Sequence, residues 1–226
     1  MSGLEKLHRF TADPKYLNYI IKFVDQHVTA DGDIHDFKGD SLDDIMAGTV
    51  IVAAYEMTGQ ERYHLAADKI REAFEEYPCN SDGGFWHARS LPHEMWIDGV
   101  FMGQMFLTRY GIVVGDQAYC FDQATRQIFT LASHCRQGGT GLFLHAYDEA
   151  RNAAWADPVT GLSPEVWSEG LGCIGSTIAY GIDPCPGQAN PSSRAHTTAW
   201  VQSHKIRFEY CSILVLLGQI FSLTRI

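Results

Sequence analysis

The sequence predicts an all-α protein of stacked helical hairpins, and three observations lead there. First, "TADPKYLNYIIKFVDQH" from Thr11, "TGQERYHLAADKIREAF" from Thr58 and "VGDQAYCFDQATRQIFT" from Val114 share one pattern. Each opens with small or polar residues, has a tyrosine at its sixth position (Tyr16, Tyr63, Tyr119), and continues with apolar residues at helical spacing. The tyrosines lie 47 and 56 residues apart. A repeat of that length holds two helices, and such hairpins bury their apolar faces only by stacking. Second, further helical patterns fill the gaps, at Asp43 to Met57 and Pro92 to Tyr110. Third, the glycine-rich loops "NSDGGFWH" (80–87) and "QGGTGLFLHAYD" (137–148) lead through short aromatic runs to a histidine. Loops at one end of a rigid helical stack are where sites are usually built.

Taken in order, "SLDD" makes Ser41 the N-cap of a helix and Asp44 its capping-box acid. Asp43 is then one more first-turn acid favoured by the helix dipole, a structural reading. Pro92 suits the first position of a helix, where its missing N–H costs nothing. That start places Glu94 in the first turn and Asp98 in the second, with Glu94, Met95, Phe101 and Met102 on the same face as Asp98. The loop "WADPVTGLSPEVW" (155–167) brings together Trp155 and Trp167. After Gly172 the composition changes. The last 54 residues hold two of the 27 acids but three of the six cysteines and three of the eight prolines. A partial helical domain is therefore expected over 1–172, followed by an atypical tail over 173–226.

Bulk properties narrow the function. The chain has 226 residues, 46% of them hydrophobic, enough for one domain with a real core. A net charge of −10 argues against nucleic acid and anionic membrane surfaces as partners. The run Ile213 to Phe221 is far shorter than the roughly 20 apolar residues that span a bilayer. The first residues carry no apolar h-region, so no signal peptide is expected, and the scattered cysteines read as reduced thiols of a cytoplasmic protein. "GLGCIG" (170–175) matches a dinucleotide fingerprint in spacing only, since no strand pattern precedes it. No cofactor is expected.

The residues that could carry chemistry lie near the loops. Apolar neighbours and a second acid both disfavour an ionised carboxylate at Asp98, which suits a proton donor. An aspartate satisfied by a backbone or histidine hydrogen bond fits the same pattern equally well. His87, His93 and His145 lack metal-ligand spacing, so no metal is expected, and they read as hydrogen-bond donors to a polar ligand or as loop histidines. Trp86, Trp96, Trp155 and Trp167 offer aromatic faces suited to the apolar side of a sugar ring.

Together these motifs resemble the unsaturated glucuronyl and rhamnogalacturonyl hydrolases, glycoside hydrolase families 88 and 105, and most closely the latter. The matching segments are "SLDDIMAGTVIVAAYEMTGQERYHLAADKIREAFEEYP", "GGFWHARSLPHEMWIDGVFMGQMFLTRYG" and "GLFLHAYDEARNAAWADPVTGLSPEVW", within Leu4 to Gly172. The resemblance implies an (α/α)6 barrel, here incomplete, and a substrate ending in a 4,5-unsaturated uronic acid, as left by a pectin lyase. It implies hydration of the vinyl ether, with Asp98 as the acid and Asp43 as its partner. His87, His145 and Trp167 match sugar-contacting positions, and Trp96 and His93 are expected to bind substrate beside them. The chain departs from the family after Trp167, with Glu169 where an arginine is common. A truncation or frameshift would account for the tail, and an inactive remnant or another sugar enzyme such as an epimerase is the competing expectation. On this reading the ring is open, the tail irregular over 183 to about 200, and the pocket beside Asp98 wide and solvent-exposed.

Overall fold

The structure is a computed structural model and describes residues 2–173. Its elements run α1 (Ser2–Thr11), α2 (Pro14–Val24), α3 (Leu42–Met46), α4 (Gly48–Thr58), α5 (Glu61–Glu72), β1 (Glu94–Trp96), α6 (Ile97–Val113), α7 (Gln117–Cys135) and β2 (Ala146–Asp148). Residues 168–173 are helical as well. Local chemistry starts and stops the helices as the sequence suggests. Asp13 caps α2 by accepting from the Lys15 amide at 2.9 Å, with Pro14 at the first helical position. Ser41 caps α3 by accepting from the Asp44 amide at 3.1 Å. Gly59 ends α4 in the left-handed conformation (φ 66°), where a glycine carries no Cβ penalty.

Three hairpins result, α1–α2, α4–α5 and α6–α7, joined by short turns at 12–13, 59–60 and 114–116. They are hairpins of the incomplete (α/α)6 barrel expected above. Tyr16, Tyr63 and Tyr119 are each the third residue of the second helix in their hairpin. The tyrosine is retained for a reason visible in the contacts. Tyr63 donates to Asp25, the C-cap of α2, at 2.6 Å, and Tyr119 donates to the Phe74 carbonyl just past α5 at 3.5 Å. Each therefore fastens its hairpin to the end of the one before, while Arg62 and Arg71 lie over the two rings.

The main core lies between the hairpins, around Ile20, Ile45, Val52, Tyr63, Ile70, Phe74, Phe106 and Leu107. A second cluster, Met95, Ile97, Val100, Leu131, Cys135 and Phe143, packs α6 against α7 and the loop after it. The first helices of the hairpins are bound by charge. Arg109 of α6 reaches Glu5 of α1 at 2.7 and 2.5 Å and Glu56 of α4 at 2.9 Å, and Arg9 adds bonds to both acids. Among the described residues no helix is long and apolar enough to cross a membrane.

Three expectations are corrected. The helix starting at Pro92 begins instead at Ile97, because "EMW" pairs antiparallel with "AYD" as β1 and β2. Cross-strand hydrogen bonding overrides the local helix signal there. Glu94 is thus a strand residue, and Asp98 sits in the first turn of its helix rather than the second. The helix over 43–57 is divided at Ala47, beside Gly48, which presses against Ile70 and Phe106 too closely to admit a Cβ (2.7 Å to each). The tail expectations after Cys173, including the irregular stretch at 183–200, lie outside the described residues.

Candidate active site

The site is built from the loops that follow α2, α5 and α7. Each folds back on itself through an antiparallel bridge, Val28 with Ile34, Cys79 with Phe85, and Arg136 with Phe143. Each is then laced to the next by backbone hydrogen bonds. Arg89 donates to the Asp40 carbonyl at 2.8 Å and β1 pairs with β2, while within the loop after α7 Ser163 donates to the Ala146 carbonyl at 2.9 Å. The lacing fixes the starts of α3 and α6 in the same way. The Leu42 N–H donates to the His87 carbonyl at 3.0 Å, and the Ile97 N–H donates to the His145 carbonyl at 2.9 Å. Asp43 and Asp98, the second residues of α3 and α6, are therefore equivalent positions in successive repeats.

Side-chain contacts then connect five of the expected site residues in a continuous run. His87 Nε2 lies 3.1 Å from Asp43 Oδ2. The His87 ring stacks on Trp96 with centroids 4.4 Å apart and planes 18° apart. Trp96 meets His145 with centroids 5.4 Å apart, and His145 meets Trp167 edge-on at 5.0 Å. Burial holds the His145 imidazole below its ordinary value, against the opposing pull of the Asp98 carboxylate, while His87 adds to the lowering. Trp167 is 38% exposed, so the run ends at the surface.

Asp98 is buried at 9% exposure, which corrects the wide, solvent-exposed setting expected for it. The laced loops cover the start of α6. Its Oδ1 is buried with no hydrogen-bond partner, as is His145 Nδ1. Buried polar atoms are normally paired, so unpaired ones on interacting residues mark where a polar ligand would complete the bonding. Asp43 differs, with its side chain 59% exposed and its Oδ2 held by His87.

Other residues lie outside this run. His93 adopts a positive φ of 70°, meets Trp86 at 4.8 Å, and has Nδ1 3.5 Å from Glu149. Trp155 lines a groove of about 390 Å³ with Leu144, Leu162 and Pro164, a groove that Trp167 does not line. Among the described residues no three His, Cys, Asp or Glu side chains converge to hold a metal ion.

Sequence reasoning missed several participants. Gly99 abuts His87, and the only available signal was a glycine following Asp98 inside a helix. Glu149 binds Ser81 through its amide and hydroxyl and receives no mark from any motif. Cys173 lies near enough to Asp98 that burial first, then the Asp98 and Glu169 carboxylates, push its thiol up.

Comparison with known proteins shows the family and the fold. The model of Glycosyl Hydrolase Family 88 matches residues 1–203. A family 105 glycoside hydrolase structure from C. acetobutylicum ATCC 824 superposes with a TM-score of 0.77 at 31% identity, over 84% of this chain and 53% of that one. A possible family 105 member from Klebsiella pneumoniae shares the fold at 19% identity and a TM-score of 0.64, over 87% of this chain and 49% of that one. The unsaturated rhamnogalacturonyl hydrolase YesR of Bacillus subtilis is 23% identical over 187 residues, 80% of this chain and 50% of that protein. Protein Atu3128 of Agrobacterium fabrum is 35% identical over 77 residues, 34% of this chain and 32% of that protein. The chain thus spans half or less of the length of these two curated relatives.

Proposed function

The chain belongs to glycosyl hydrolase family 88, and we propose that it acts on oligosaccharides ending in a 4,5-unsaturated uronic acid, of the rhamnogalacturonan type. The observation that carries this reading is the contrast between two equivalent aspartates. Asp43 is partnered by His87, whereas Asp98 keeps Oδ1 buried and unpartnered at the foot of an aromatic and histidine wall. A buried carboxyl group with a free oxygen suits a proton donor, and a neighbouring exposed carboxylate suits the handling of water and sugar hydroxyls.

In this mechanism Asp98 gives its proton to C4 of the C4–C5 double bond, leaving positive charge shared by C5 and the ring oxygen. Water adds at C5 and returns a proton to the Asp98 carboxylate. The C5 hemiketal then opens to a ketone, C1 becomes a hemiacetal, and its collapse to an aldehyde releases the aglycone. Asp98 ends as it began. Asp43 orients the water, Trp96 and Trp167 offer apolar faces to the ring, and His145 donates to the sugar. His93 belongs to the substrate-binding set expected from the sequence, and His87, which that set also includes, holds Asp43 at 3.1 Å. The names of the similar proteins, a rhamnogalacturonyl hydrolase and a family 105 enzyme, support this substrate class. A cytoplasmic setting, suggested by the scattered cysteines, belongs to the same proposal and is checked by cell fractionation.

The test is incubation of the 226-residue chain with an unsaturated rhamnogalacturonan disaccharide, following the ultraviolet absorbance of the conjugated double bond. Loss of absorbance with release of the second sugar is expected. Unchanged absorbance with a folded chain would overturn the proposal.

A further inference from the structure

His87 is placed unlike a group that greets a ligand. Its backbone is fully engaged, since its N–H donates to Glu94 at 2.7 Å and its carbonyl accepts from Leu42 at 3.0 Å and from Tyr77 Oη at 3.3 Å. Its side chain is only 7% exposed and one face is covered by Trp96. Nε2 is directed to Asp43 at 3.1 Å. Nδ1 is buried with no partner, and the reason is visible at the next element. A Cβ on Gly99 would fall 2.6 Å from His87 Nδ1 and 3.1 Å from Leu42 Cδ1. The ring therefore lies against the first turn of α6 in space that only glycine leaves open.

These contacts decide the tautomer. With the hydrogen on Nε2 the imidazole donates to the Asp43 carboxylate, and Nδ1 keeps its lone pair where no acceptor is in reach. With the hydrogen on Nδ1 the donor would be buried without an acceptor, and Nε2 would turn a lone pair toward the carboxylate. We infer that His87 is a positioning residue for Asp43, fixed as the Nε2–H tautomer in the space left by Gly99, and not a contact to the sugar. This replaces the sugar-binding role that the family resemblance suggests for His87. Nε2 is committed to Asp43, and Nδ1 is shut against Gly99 of α6 with no room for a ligand atom beside it. Gly99 becomes a positioning residue in turn, because it sets how closely His87 can approach α6 and hence where Asp43 is held.

The kinetic consequence rests on the proposed function, whereas the tautomer does not, so the two are tested separately. In the 226-residue chain carrying ¹⁵N-labelled histidine, long-range proton–nitrogen correlation is expected to show His87 protonated at Nε2 and bare at Nδ1 near neutral pH. The Nε2 signal should shift in Asp43→Asn. A hydrogen on Nδ1 would overturn the inference. With the unsaturated disaccharide, His87→Phe keeps an aromatic ring but removes the donor, and its kcat should fall on the order of 10–100-fold with KM little changed, as when an outer-shell partner is lost. His87→Gln can return an N–H near the position of Nε2 and should fall less. A folded Gly99→Ala chain should lose rate as His87→Phe does. A raised KM at unchanged kcat in His87→Phe, or full rate in Gly99→Ala, would show that His87 does not act through Asp43. Absence of turnover by the unaltered chain would sink the proposed function and leave the tautomer measurement to decide the inference alone.

Discussion

Asp43 and Asp98 are 55 residues apart in sequence and stand at the same place in successive repeats, each the second residue of its helix. The residue before each donates its N–H to the carbonyl of a histidine in the adjoining loop, His87 for one and His145 for the other. The repeat that builds the fold therefore also delivers two carboxylates to one end of it. Their surroundings then diverge, one acid exposed and bonded, the other buried with an oxygen free.

The repeat predicts a graded response at its tyrosines. Tyr63→Phe removes a 2.6 Å hydrogen bond to Asp25 that fastens α5 to the end of α2. It should cost about 1.5–3 kcal/mol, the usual net value of a hydrogen bond to a charged group. Tyr119→Phe removes only a 3.5 Å contact and should cost less. Urea unfolding midpoints measure both, and a larger loss at Tyr119 would contradict this account of the repeat.

Acid sensitivity should centre on Glu5. Burial pushes this carboxyl up, but hydrogen bonds and charge from Arg109, with Arg9 behind them, outweigh it and hold the group below its usual range. A carboxyl lowered in the folded state contributes stability that is full above the unfolded value near 4.5 and is lost as pH falls through the folded value. Stability should therefore decline as the pH drops below about 4.5. Glu5→Gln should cost about 1–3 kcal/mol at neutral pH, since bonds to a charged partner are the stronger kind. It should also flatten that acid limb. An unaltered limb in unfolding measurements between pH 5 and 3 (a window set roughly by the carboxylate range) would place the sensitivity elsewhere.

Much of this was legible in the sequence, and what was not has identifiable causes. The tyrosine register read correctly because each tyrosine lies in the first turn of its helix, where Tyr63 and Tyr119 also join two hairpins. The Ser41 cap read correctly because capping is local chemistry. The start of α6 did not, since Pro92 and the apolar run after it carry a genuine helix signal. Only the distant segment Ala146–Asp148 turns residues 94–96 into a strand. Asp98 was singled out by its apolar neighbours, which left a structural reading equally open, and was assigned as the acid only through the family resemblance. Its burial depends on loops brought together by long-range backbone bonds. His93 shares a sequence neighbourhood with His87 yet stands with Trp86 and Glu149, because the reversal at residues 91–93 turns it away from that contact run. Spacing alone could not separate the two histidines.

Asp43→Asn should separate chemistry from folding. The side chain is 59% exposed, and asparagine can still accept from His87 through its amide oxygen, so the unfolding midpoint should barely move. Turnover should fall by roughly 10² or more if the carboxylate helps to direct water. A variant with normal turnover would reduce Asp43 to a first-turn helix acid.

The most direct test is Asp98→Asn, a nearly isosteric change that removes the proton and leaves the helix start intact. Rates are followed by loss of the conjugated double bond in an unsaturated rhamnogalacturonan disaccharide, with circular dichroism as the check on folding. The account predicts a fall on the order of 10²–10⁴ in kcat, the contribution of one general acid, at unchanged helical signal. Near-normal turnover by folded Asp98→Asn would contradict it.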